Sequence, residues 1–276
     1  MSQIRLHPRQ FTLVYILALA IVSLPLALPE TLAQSSGSNR PNLTPILKSN
    51  TTPLSKQSRP RRATGRLRGL GTRGSCPTVK KSLTALVTPI PIPTEAEATE
   101  TSPAVTVADH PTLWFYVPYS PDSKLEAEFT LIDEKENDFY KTRFLLKEKP
   151  GIIGLKLPEK SPPLQAGKDY TWYFSVICNP TDRSGDVFVN GLIARIPLNS
   201  TLQAQLDKMS DLKAQSALYA ENKLWSEALT ALAQVRRGNL QDSTLQVDWS
   251  NLLNSMNFND IASEPLTSCC QVKEPK

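Results

Sequence analysis

The sequence predicts an α+β protein: an antiparallel immunoglobulin-like β-sandwich over residues 75–198, followed by a small C-terminal helical hairpin region over residues 199–276. Three observations carry that expectation. Apolar residues recur at a period of two between His110 and Leu198, turn residues divide this stretch into six or seven short strands, and at Asn199 the period changes to 3.6.

Ahead of this body, residues 1–33 read as a secretory signal peptide. Arg5, His7 and Arg9 precede an apolar run from Phe11 to Leu28, interrupted by Pro25, and Thr31-Leu32-Ala33 offers small residues for cleavage before Gln34. The run falls short of the ~20 residues of a comfortable membrane span, so an uncleaved anchor is the weaker reading. With no cysteine near the cleavage point, a lipid anchor is not expected. The predicted location is periplasmic or secreted.

Residues 34–74 read as a disordered basic linker. Between Thr31 and Thr94 stand eleven Lys or Arg residues and no acid, whereas residues 95–276 hold 18 basic and 25 acidic ones, so the formal net charge of +5 hides a basic tail on an acidic body. Large apolar residues are too few before Leu83 to offset the entropy of ordering. A solvated linker is the plain reading, and a tether to anionic envelope material or a peripheral membrane contact is the functional one. Without interleaved aromatics, the charges do not point to nucleic acid. Residues 69–74 spell GxGxxG, but that fingerprint takes a pyrophosphate only between a strand and a helix. Here a basic run leads in and Ser75-Cys76-Pro77 leads out.

Each strand has its own signal. Thr112-Leu-Trp-Phe-Tyr-Val-Pro118 is a β-branched and aromatic run stopped by proline. Leu125, Ala127, Phe129 and Leu131 alternate with Glu126, Glu128 and Thr130, and after a charged turn Tyr140, Thr142, Phe144 and Leu146 repeat the pattern, which predicts a hairpin. A short strand over 152–157 follows, then long ones over 170–178, with Trp172, Phe174 and Val176 on one face, and over 186–196, with Val187, Val189 and Ile193 aligned.

From Asn199 onward, Ser200 and Gln203 suggest a capping box, and Leu202, Leu206, Met209, Leu212 and Leu218 recur at helical spacing. Residues 217–229, with Tyr219, Trp225 and Ala228, resemble one tetratricopeptide hairpin; a lone copy cannot bury its own faces and should pack on the sandwich. A third helix over 243–256 carries Trp249, Leu252 and Leu253.

All four cysteines, Cys76, Cys178, Cys269 and Cys270, follow the leader, which predicts two disulfides in an oxidising compartment. Adjacent cysteines bridged to each other close a tight ring, so the less strained solutions send Cys269 and Cys270 to Cys76 and Cys178 and staple the carboxy terminus to the body. Metal binding by the thiols is the competing reading, disfavoured without CxxC spacing.

Five ordered blocks, Gly-Thr-Arg-Gly-Ser-Cys-Pro77, His-Pro-Thr-Leu-Trp-Phe-Tyr-Val-Pro-Tyr119, Tyr-Thr-Trp-Tyr-Phe-Ser-Val-Ile-Cys-Asn-Pro180, Leu-Trp-Ser-Glu-Ala-Leu229 and Pro-Leu-Thr-Ser-Cys-Cys270, resemble the cyanobacterial "domain of unknown function 928" family over about residues 72–270. The resemblance implies an exported protein with a sandwich and a helical end, and supplies no activity and no catalytic residues.

The residues themselves predict no enzyme and no cofactor. His110 is the single histidine after the leader and stands before a fixed proline, so a His-based triad or a two-His metal site lacks its second imidazole. Asp182, Arg183, Ser184 and Asp186 share a turn that could hold calcium but needs no ligand to form. Glu126 and Glu128 invite a glycosidase reading, which an alternating solvent face explains more simply. Two function classes remain. The first is a noncatalytic binding or assembly module of the envelope, with an envelope protein or an anionic polymer as partner. The second is a carbohydrate-binding sandwich in which Trp114, Tyr116, Tyr119 or Trp172 stack on sugar rings.

Overall fold

In this computed structural model the elements run β1 (Thr84–Ala85), β2 (Ala104–Thr106), β3 (Thr112–Val117), β4 (Glu126–Ile132), β5 (Asp138–Leu145), β6 (Gly151–Lys156), β7 (Asp169–Ile177) and β8 (Val187–Arg195), then α1 (Ser200–Leu206), α2 (Leu212–Glu221), α3 (Trp225–Gly238) and α4 (Ser243–Ser255). The structure describes residues 65–69, 76–88, 103–239 and 241–270. The leader expected over 1–33, and the linker expected over 34–74 apart from its last ordered piece, lie outside the described residues.

Two sheets form, ordered β1-β3-β6 and β2-β8-β7-β4-β5. Every pairing is antiparallel except β2 with β8, which is parallel, so the larger sheet is mixed rather than antiparallel throughout. β2 is far from β8 in sequence and joins its edge without a hairpin, which frees its direction. The β4–β5 hairpin has the expected faces: Ala127, Phe129, Leu131 and Phe144 are buried. Its turn is held by the Asp133 carboxylate, which accepts from the backbone N–H groups of Lys135 and Asn137 at 2.8 and 2.9 Å.

β3 positions everything else. Its apolar run is continuous rather than alternating because both faces are covered. Leu113, Phe115 and Val117 face the larger sheet, where Phe115 stacks on Phe174 at 4.4 Å between ring centres and meets Phe129 and Trp172 edge-on. Trp114 and Tyr116 face the other way and pack with Ala228, Leu229 and Leu232 of α3 and Trp249 of α4. Small residues let α3 lie close, and Ser226 Oγ donates to the Thr112 carbonyl at 2.5 Å. Glu227 of the same helix accepts from the Val107 N–H at 2.9 Å and from the Thr106 hydroxyl, fixing the exit of β2.

The helical stretch after Asn199 is divided where one run was expected, because Asp211 starts a second helix by accepting from Lys213 and Ala214 N–H groups. The first cap is Asn199, whose Oδ1 accepts from Leu202 N at 2.7 Å, rather than a Ser200–Gln203 box. Gln203 instead donates to Asp207, one turn along its own helix.

Two segments, residues 65–69 and 265–267, add to the sheets from outside the named strands. Residues 65–69, expected within the disordered linker, run between the two sheets. The Leu67 carbonyl accepts from Ala85 and Gly69 N–H donates to Leu83 on the β1 side, while Arg66 O accepts from Asn190 of β8. Leu67 packs on the core, Arg66 lies 4.7 Å over the Phe188 ring and Arg68 forms two bonds to Asp260, which together offset the entropy of ordering. Gly69 is required there: a Cβ would stand 2.7 Å from Val187 Cγ1. It is therefore a packing glycine, and the rest of the 69–74 fingerprint lies outside the described residues. At the other end, Ile152 N–H donates to Pro265 O at 2.7 Å and Thr267 N–H to Ile152 O at 2.9 Å, laying the carboxy-terminal segment along β6.

That pairing explains why the expected disulfide staple is absent. Cys76 bonds Cys178, with 4.8 Å between their Cα atoms, and Cys269 bonds its neighbour Cys270, which adopts a φ of 51°. The segment over residues 265–267 is held by backbone hydrogen bonds, so no cysteine has to reach across, and the Cys76–Cys178 bond secures the start of the body to the end of β7.

Candidate functional site

The four aromatics that the alternative, carbohydrate-binding reading offered as a sugar platform are core residues. Trp114, Tyr116, Tyr119 and Trp172 are at most 4% exposed. Trp172 and Tyr119 lie in the core between the sheets, and Trp114 and Tyr116, on the other face of β3, are covered by α3 and α4, which alternation alone does not reveal. The cavities beside them, one between Trp114 and Trp172 and one between Tyr119 and Cys270, measure about 30 Å³ each, the share of a single water, and offer no room for a sugar ring.

The polar candidates are also engaged locally. His110 Nε2 lies 3.0 Å from the Ser161 carbonyl and its Nδ1 3.3 Å from Asp109, whose carboxyl is held below its usual range by that bond. Asp182 caps a 3₁₀ turn by accepting from Ser184 N–H and Oγ, while Arg183 pairs with Asp186 and Glu128. Glu128 also takes Arg143 at 2.9 Å and Lys141 at 3.8 Å; burial pushes its carboxyl up, and these cations outweigh that and bring it down. Glu126 meets Arg143 at 3.8 Å. The two glutamates thus belong to an ion-pair ladder on the outer face of the larger sheet. Among the described residues no group of three or more His, Cys, Asp or Glu is placed to hold a metal ion, and no helix is long and apolar enough to cross a membrane.

Among the described residues, an arrangement with room for a ligand lies where α3 ends and α4 begins. Arg236 and Arg237 occupy the last turn of α3, where the helix dipole favours cations. Successive residues on a helix diverge, yet both guanidinium groups fold onto one tryptophan pair. Arg236 lies 5.2 Å over Trp249 and Arg237 5.8 Å over Trp114, and the two indoles meet edge-to-face at 5.7 Å. Arg236 Nη2 also donates to Gln246, which donates to Ser250 at 3.3 Å, and Ser250 in turn donates to the Ala262 carbonyl at 3.0 Å. Burial pushes both guanidinium groups below the ordinary arginine range.

The two arginines, with Asn239, Gln241, Asp242 and Ser243, wall a cavity of about 240 Å³. Among the described residues neither arginine forms an ion pair, and Arg236 Nη1 is buried without a hydrogen-bond partner. Asp242 is committed to the α4 cap through Thr244 N–H at 2.9 Å and Thr244 Oγ1 at 2.6 Å. Such a set recognises anions and hydroxyls. The sequence reading missed it: the signal was Arg236-Arg237 closing an apolar helix, and its meaning depends on tryptophans far away in the chain.

The family model described as Domain of Unknown Function (DUF928) matches residues 68–266, and the chain belongs to that family. No curated protein matches the chain.

Proposed function

We propose that this member of the DUF928 family is an exported, noncatalytic binding or assembly module of the cell envelope, with an immunoglobulin-like sandwich as scaffold and an envelope protein or anionic polymer as partner. The observation that carries the reading is the Cys76–Cys178 bond, which joins residues 102 apart and suits an oxidising compartment. The charged leader and the acid-free stretch from Thr31 to Thr94 support it. Arg68 and Lys81 are engaged by Asp260 and Glu264 and so do not count among the tether charges, six of which lie ahead of residue 65. Fractionation with crosslinking in the envelope tests this. Recovery outside the cytoplasm with a reproducible envelope crosslink supports it, and recovery in the cytosol with Cys76 and Cys178 as free thiols overturns it. Deleting residues 34–64 should leave the body folded and remove salt-sensitive retention on anionic polymer; undiminished retention would refute the tether.

A further inference from the structure

We propose that the cavity between the end of α3 and the start of α4 is a binding site for a small oxyanion-bearing ligand, gripped by Arg236 and Arg237. Two like charges share this cavity without forming an ion pair among the described residues, and each gives up part of its hydration to lie against an indole. An arriving oxyanion relieves both costs. Arg236 is also held before binding, between Trp249 and Gln246, so little of its side-chain entropy remains to be lost, while the exposed Arg237 rests on Trp114 and supplies a fork for two parallel N–H···O bonds. Arg236 Nη1, buried and unpartnered, is one donor left for that purpose.

The remaining wall narrows the ligand class. A cavity of about 240 Å³ exceeds a bare carboxylate or phosphate and falls below the usual range for drug-sized ligands. The oxyanion is therefore carried on a compact group. Asn239, Gln241 and Ser243 bring side chains that bond hydroxyls, and Asp242 lowers the net positive charge of the site, which favours a ligand with a single acidic group over a polyanion. A hydroxylated carrier with one carboxylate or phosphate fits this set. The inference goes beyond the envelope reading and does not rest on it, since it concerns the folded chain in any compartment.

The test is calorimetric titration of the full-length, disulfide-intact chain at fixed ionic strength with inorganic phosphate, glucuronate and, as the neutral control, glucose. Saturable binding of either oxyanion without binding of glucose is expected; glucuronate binding more tightly would assign the carrier as a sugar acid, and phosphate binding more tightly would assign a phosphoryl group. Arg237→Gln should weaken binding by about tenfold or more, and Arg237→Lys, which keeps the charge without the fork, by less. Arg183→Gln, on the outer face of the larger sheet, should bind as the parent does. No saturable binding of either anion by the unmodified chain up to about 10 mM, or equal affinity in Arg237→Gln, overturns the proposal. The first of these outcomes is decisive whether or not a variant folds.

Discussion

Trp114 and Trp172 each stand opposite a glycine on the neighbouring strand, Gly154 and Gly191, in direct register. A Cβ at Gly191 would lie 2.5 Å from Trp172 Cζ2, and one at Gly154 would lie 2.7 Å from Trp114 Cη2, so in both places an indole packs where a side chain would otherwise project. The surroundings differ. Trp172, between the sheets, is enclosed by Phe115 and its aromatic neighbours, and its Nε1 finds no hydrogen-bond partner. Trp114, between sheet and helices, donates to Thr230 Oγ1 at 3.2 Å and carries Arg237 on its ring. One layer is shaped by packing alone, while the other couples packing to a charged group at the surface. A ligand-responsive site therefore belongs to the second.

Four experiments break or sharpen that contrast. Phe115→Ala, at the centre of the inter-sheet rings, should cost about 3–5 kcal/mol in urea unfolding, the largest of these effects. Gly191→Ala should follow at about 1–3 kcal/mol, with Gly154→Ala less costly because that position is only half-buried; the reverse order would show that the helix layer is the tighter one. Trp114→Phe should cost about 1 kcal/mol more than Trp172→Phe, since only Trp114 loses a hydrogen bond and Trp172 sheds an unpaired donor; equal losses would remove the distinction.

A further effect is one of pH. Burial pushes the Tyr116 hydroxyl up to about 12, with the neighbouring Glu264 adding to it. A tyrosine in the unfolded chain ionises near pH 10, so the folded state keeps its proton longer. The contribution is complete below about pH 10 and is lost as pH rises toward 12. Tyr116→Phe should flatten this alkaline fall in stability, and an unchanged slope would assign it to other groups.

Elements whose signal is local were legible in the sequence. The alternation of 125–131 and 140–146 located the β4–β5 hairpin, and the Leu252–Leu253 pattern located α4. β1 and β2 escaped because two or three residues display no period, and residues 65–69 escaped because their order comes from two sheet edges that form elsewhere. The role of the aromatic residues stayed open for the same physical reason. Thr-Leu-Trp-Phe-Tyr-Val is equally compatible with a platform and with a strand covered on both sides, and only the position of α3 decides between them. Cysteine pairing likewise waited on where β6 received the carboxy-terminal segment.

The seam formed by residues 65–69 has a mechanical consequence. If the stretch ahead of it is fastened to the envelope, tension enters the body at Gly65. There the chain is bonded to β8 on one flank and to β1 on the other, so both sheets share the load. Should those hydrogen bonds give way, peeling reaches Cys76, where a covalent link passes the force into the end of β7, a central strand of the larger sheet. A pull on the tail would thus be arrested at sulfur before it reached the aromatic core.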